Sequence, residues 1–215
     1  WSTAKRLGIF GQQQMDSQHR ILQFASQKGI NYCMTTYFKE FNLPNFDVIQ
    51  AKLVPHVLSF AQSYTNFWNH ADTDLLLTVV PELKVAIESI IGQPPFQSYV
   101  IVVPDAPLHT LDAQWGGNSL HRDTGAEQYR LNWPILNGAS IETKFFSSSA
   151  EPKKMYLSTG NSYLKYTEDQ CTFETSNVIT KPTIINAHTI HSLYRIGTEF
   201  PRIILSFKFK NKIVF

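Results

Sequence analysis

The residues of this 215-residue chain best suited to chemistry lie in two stretches far apart in sequence. The first is Leu120-His121-Arg122-Asp123, in which His121 and Asp123 stand two positions apart. In an extended strand that spacing aims an imidazole and a carboxylate from the same face. The second begins at Pro182 and offers His188 and His191 before Ser192 and Leu193. One of these histidines with the first pair makes a set of two imidazoles and one carboxylate. Such a set leaves coordination positions open and suits non-haem Fe(II) and O2 chemistry. His188 and His191 point to opposite faces of a strand, so one metal takes only one of them. A His-x-Asp by itself is common, and its plain alternative is a solvent-exposed pair at a turn.

The same stretch ends in Pro201-Arg202 and a run to Phe209 with a clear period of two. Ile203, Leu205, Phe207 and Phe209 share one face; Arg202, Ile204, Ser206 and Lys208 share the other. Arg202 and Ser206 can therefore hold one anion between them. An inward arginine is costly without a partner, and a carboxylate matches its fork. The pattern alone does not say which face is inward, and a strand arginine often pairs with a surface acid.

Taken together, His121-x-Asp123, a late histidine and Arg202 resemble the Fe(II)/2-oxoglutarate-dependent dioxygenase superfamily. The resemblance covers roughly the second half of the chain and singles out no subfamily. It implies a mainly β protein with flanking α-helices around a double-stranded β-helix core of the jelly-roll or cupin-like kind. It implies that His121, Asp123 and His191 bind Fe(II). His191 is preferred to His188 because it lies eleven residues before Arg202, in the context Ile190-His191-Ser192; His188 is then a hydrogen-bonded structural residue. Arg202 would take the distal carboxylate of 2-oxoglutarate, with Ser206 helping. The segment Arg130–Asn137 resembles the strand after the His-x-Asp in some small members, which makes Asn132 a further contact to 2-oxoglutarate. If Trp133 points inward instead, Asn132 faces solvent.

The implied activity is hydroxylation of a small molecule or a protein side chain, with O2 and 2-oxoglutarate consumed and succinate and CO2 released. Asp123 argues against the related halogenases, which lack that carboxylate. Two alternatives stand beside this reading: a cupin-like metal protein, which usually shows His-x-His with a nearby Glu, and a non-catalytic jelly-roll binding module.

Composition sets the outer bounds. Hydrophobic residues make up 43% of the chain and charged residues 17%, as in a globular domain. A formal net charge of +2 gives no electrostatic reason to expect duplex nucleic acid as a partner. Cys33 and Cys171 match no metal or redox motif and read as thiols in a reducing compartment. No stretch is long and apolar enough to span a membrane, and no secretory signal opens the sequence, so the expected location is cytoplasmic. Nothing indicates an oligomeric state.

The expected organisation is one domain, with helical support over about 1–95 and the β core over about 96–215. Helices are expected over Gln12–Lys28, from Asp47 as N-cap through about Val48–Trp68 with a kink or later start at Pro55, and over Pro81–Ile91 ahead of Gly92. Asn66–Asp74 reads as a loop. Strands are expected at Tyr99–Val103, Tyr129–Ile135, Ile141–Phe146, Lys154–Ser158, Tyr163–Tyr166, Cys171–Thr175, Pro182–Ala187 and Arg202–Phe209. Asp105–Gly117 reads as a long loop just before the His-x-Asp strand, a lid or substrate-contacting loop, with a mobile surface excursion as the plain alternative. Arg122 should point away from the metal, toward a surface ion pair. His70 and His109 fall in loops with nothing to position them, and His19 and His56 fall in helical patterns.

Overall fold

Strands that alternate in hydrophobicity must cover at least one face each, and here they do so by facing one another in two sheets. The structure, a computed structural model, describes residues 37–61, 67–106, 120–156 and 162–213. These belong to one compact unit, Thr36–Phe215. In chain order the elements are β1 (Phe38–Glu40), α1 (Phe46–Phe60), β2 (Trp68–Ala71), α2 (Thr73–Val79), α3 (Pro81–Ile91), β3 (Gln97–Val103), β4 (His121–Asp123), β5 (Tyr129–Leu136), β6 (Ile141–Ser147), β7 (Lys153–Tyr156), β8 (Ser162–Lys165), β9 (Thr172–Val178), β10 (Thr183–Asn186), β11 (Ile190–Arg195) and β12 (Arg202–Lys208).

One sheet has the order β1-β10-β5-β12-β3-β2 and the other β7-β8-β4-β11-β6-β9. Every pairing is antiparallel. With the β7–β8 hairpin set aside, β3, β4, β5 and β6 alternate between the sheets, and so do β9, β10, β11 and β12. That winding is the double-stranded β-helix, or jelly roll, expected from the sequence.

The helices lie against the outer face of the first sheet. Ile49, Leu53 and Val57 recur every four residues along α1, and all three are buried. With Leu83 and Ile87 of α3 they share a core with Val100 and Val102 of β3, Leu131 and Trp133 of β5, and Leu205 and Phe207 of β12. Trp133 donates its indole N–H to Oε1 of Gln50 at 3.0 Å, which satisfies the one polar atom of a fully buried ring. The opposite face of these same strands turns toward the other sheet, where Ile101, Val103 and Ile204 pack with Ile141 and Ile179. Both faces of β5 and β12 are thus covered. This resolves the ambiguity of the alternating pattern: Trp133 faces the helices, and Asn132 and Arg202 face the space between the sheets.

Several expectations need correction. Helix α1 starts at Phe46 with Asn45 as its N-cap, so Asp47 lies in the first turn, and the helix ends at Phe60. Pro55 sits inside it on the exposed side, where the carbonyl it leaves unbonded can meet water. The stretch read as a loop at Asn66–Asp74 holds β2, which pairs with β3, and the start of α2. There the side chain of Asp72 caps α2 by accepting from the Leu75 backbone N–H at 2.9 Å. Strands β1 and β2 both come from the part assigned to helical support, and both extend the first sheet. Helix α3 is as expected, with Pro81 in its first turn and Gly92 at φ 77° closing its end. The expected helix at Gln12–Lys28, Cys33, His19, and the 107–117 part of the covering loop with His109 lie outside the described residues. Cys171 is a free, half-buried thiol. Among the described residues no helix is long and apolar enough to cross a membrane.

Leu53 is fully buried between the helices and the sheet, whereas Val85 on α3 is 68% exposed. Urea unfolding should therefore show Leu53→Ala less stable by about 2–5 kcal/mol. Val85→Ala should stay within about 0.5 kcal/mol of the parent. Equal losses at the two positions would show that the helices do not form part of the core.

Candidate metal centre

Strand β4 is only three residues long, and its neighbours hold it. Three of its residues pair with β8, one pairs with β11, and the Asp123 N–H donates to the carbonyl of Ala187 at 2.9 Å. The single β11 pair is His121 opposite His191. Residues directly opposite in an antiparallel ladder project to the same face at close range. The two imidazole rings accordingly stand 4.5 Å apart between centroids. Asp123, two residues along, joins that face, with its Oδ1 3.9 Å from Nε2 of His121. One ligand atom from each of His121, Asp123 and His191 lies within 4.8 Å of the other two, a cluster that could hold a metal ion.

The surroundings prepare each group for that task. His191 Nδ1–H donates to the Thr189 carbonyl at 2.9 Å, which leaves Nε2 as the lone-pair nitrogen. Burial, reinforced by the neighbouring His121 ring, pushes the His191 imidazole down to about 4, so it is neutral at pH 7. Burial alone would raise Asp123. The Arg130 guanidinium, followed by His191 and His121, outweighs it and holds the carboxyl below its ordinary range. Arg130, on the facing sheet, donates from Nη2 to Oδ2 of Asp123 at 3.1 Å. A neutral imidazole at His191 and an ionised carboxylate at Asp123 are protonation states that binding a divalent cation needs.

The cluster opens into a cavity of about 770 Å³ between the sheets. Asn132, Arg202 and Ser206 line the same cavity. Asn132 and Ser206 are directly opposite on β5 and β12. Arg202 is only 3% exposed; its Nε, the Ser206 Oγ and the Asn132 Oδ1 have no hydrogen-bond partner among the described residues. Among the described residues no carboxylate pairs with Arg202, which removes the surface-acid alternative. Burial pushes its guanidinium down to about 10, and it remains charged at neutral pH.

Two further described histidines, His188 and His70, do not join the cluster. His188 leaves the cluster and hydrogen-bonds through Nε2 to the Gly125 carbonyl at 2.8 Å. Arg122 also points away and borders a smaller hollow with His188 and Leu164. His70, expected in an unstructured loop, is on β2; its ring lies 4.7 Å from that of Tyr99, and both line the large cavity. Arg130 was not singled out by the sequence as a site residue. Its signal was present as an arginine seven residues after the carboxylate, across a Gly125 turn.

The sequence matches no protein-family model and no curated protein. Among solved structures, acireductone dioxygenase from Bacillus anthracis with a cadmium ion in its active centre aligns at 10% identity. The alignment covers 81% of this chain and 77% of that one, with a TM-score of 0.34. The metal assignment rests on the residues of this chain alone.

Replacing a ligand should cost more than the roughly 10–100-fold typical of an outer-shell partner. His121→Ala, Asp123→Ala and His191→Ala should each weaken Co(II) or Fe(II) binding by more than about 100-fold, beyond that outer-shell range. His188→Ala should bind like the parent. Anaerobic titration of the four variants checks this; loss in the His188 variant with retention in the His191 variant would reassign the second histidine.

Proposed function

We propose that this chain is a non-haem iron dioxygenase that uses 2-oxoglutarate as cosubstrate and hydroxylates a small molecule or a protein side chain. The observation that carries the cosubstrate is Arg202: a buried guanidinium in the same cavity as the metal cluster, with no carboxylate partner and an unsatisfied Nε among the described residues. A buried charge of this kind is strongly unfavourable until an anion joins it. The donor set fits the metal as well. Two imidazoles and one carboxylate on one face suit Fe(II) and leave positions for other ligands.

In this reading His121, Asp123 and His191 would hold Fe(II), and Arg130 keeps Asp123 ionised and oriented. Arg202 and the Ser206 hydroxyl would bind the distal carboxylate of 2-oxoglutarate, with the Asn132 amide beside them. Bound Fe(II) supplies the O2-activating redox chemistry, in which 2-oxoglutarate gives succinate and CO2 and the substrate gains a hydroxyl. The chain's own contribution is orientation and exclusion of water. Ile101 and Ile179 wall the cavity with apolar surface, and Arg202 would hold one end of the diacid in the cavity that the metal cluster also lines.

Truncating one member of a buried charge pair costs on the order of 2–5 kcal/mol. With Zn(II) in place of iron, Arg202→Ala should therefore bind 2-oxoglutarate at least about 30-fold more weakly in calorimetry. Arg202→Lys should recover only part of the loss, because an ammonium lacks the planar fork. Metal affinity should be unchanged in both. Parent-like 2-oxoglutarate binding by folded Arg202→Ala would remove Arg202 as the anchor. No 2-oxoglutarate binding by the parent would leave a jelly-roll metal protein of another kind.

A further inference from the structure

We infer that the substrate of this site carries a carboxylate, which Arg130 receives on the side of the cavity walled by Trp68 and Tyr99. The inference rests on the dioxygenase reading for its charge balance. Among the described residues the cavity wall carries Arg130, Arg202 and Lys208 as cations and Asp123 as its one carboxylate. Lys208 has its own partner in Glu127 at 3.6 Å. Arg202 would be matched by the distal carboxylate of the cosubstrate. A divalent metal would be matched by Asp123 together with the cosubstrate's other carboxylate. Arg130, whose only ion-pair partner among the described residues is Asp123, is then a buried guanidinium whose counter-charge has been given to the metal.

The hydrogen bonding of Arg130 points the same way. Its Nη2 is used on Asp123, but Nε and Nη1 are shielded from solvent and without hydrogen-bond partners among the described residues. The Trp68 indole stands 5.9 Å from the guanidinium carbon, on a strand at the edge of its sheet among the described residues. A carboxylate that reaches the two nitrogens would displace that partly exposed ring. Next to it Tyr99 lies edge-on at 5.5 Å, so the entering molecule meets an aromatic wall suited to a planar or apolar body. At about 770 Å³ the cavity has room for a second small molecule beside a five-carbon diacid. A cationic group in the same place would meet Arg130 and Lys208 and be repelled.

A matched pair of probes, phenylacetate and phenylacetamide, isolates the charge. Both are titrated calorimetrically into the chain carrying Zn(II) and saturating 2-oxoglutarate. The acid should bind the parent at least tenfold more tightly than the amide. Arg130→Gln should erase that preference, Arg130→Lys should retain part of it, and Trp68→Ala should weaken both probes alike. If Arg130→Gln melts early, the Lys variant decides, because a preference undiminished there overturns the assignment. Equal binding of acid and amide by the parent also overturns it. So does a preference that survives in Arg130→Gln, or an acid that binds only when 2-oxoglutarate is left out, since its carboxylate would then occupy the cosubstrate's place. Failure of 2-oxoglutarate itself to bind the parent overturns the cosubstrate reading instead. The acid–amide difference in the Zn(II)-loaded chain would still decide the role of Arg130.

Discussion

The register between β4 and β11 is the constraint on which the rest of the site depends. A slip of one residue would replace His191 by Ile190 or Ser192 and turn the imidazole to the outer face. Packing on both sides of β11 prevents that slip. Ile190 is buried outside the sheet with Leu120 and Tyr166, while Leu193 packs inward against the cluster of Ile141, Ile179 and Ile204. The six-residue ladder with β6 holds the same register from the other flank. The apolar alternation of one strand therefore sets the distance between two imidazoles.

The same division of labour runs through the facing sheet. In β12 the odd-numbered residues from Ile203 to Phe207 join the helix-packed core, and the even-numbered ones from Arg202 to Lys208 face the space between the sheets. Burial of large side chains on one face offsets the cost of holding a guanidinium nitrogen and a hydroxyl that have no partner among the described residues on the other. β5 does likewise, with Leu131 and Trp133 behind Arg130 and Asn132. The helices matter to the chemistry because they make this second covered face possible.

What could be read in the sequence follows from how local each signal is. His121 and Asp123 are legible because a spacing of two is enough to align them on a strand, and α3 is legible because Pro81 and Gly92 bracket it. The direction of Arg202 was not, since a strand covered on both faces gives its alternation no sign. β2 was missed because Trp68-Asn69-His70-Ala71 is short and polar, and it becomes a strand only by pairing with β3. Arg130 escaped because its meaning lies in the closure of the jelly roll, which brings β5 of one sheet over β4 of the other. Even the choice of His191 over His188 came from resemblance, and its physical reason is the Gly125 carbonyl that draws His188 away.

The β7–β8 hairpin changes how this molecule meets its neighbours. Without it β4, which carries two of the three clustered groups, would be the rim of its sheet and would offer unpaired backbone to any passing chain. With it β4 is flanked on both sides, and among the described residues the rim becomes β7. That strand begins with Lys153 and Lys154, both exposed. Adjacent positive charges on a short outer strand discourage edge-to-edge association. The hairpin thus moves the point of vulnerability to self-assembly from the reactive strand to one that repels copies of itself.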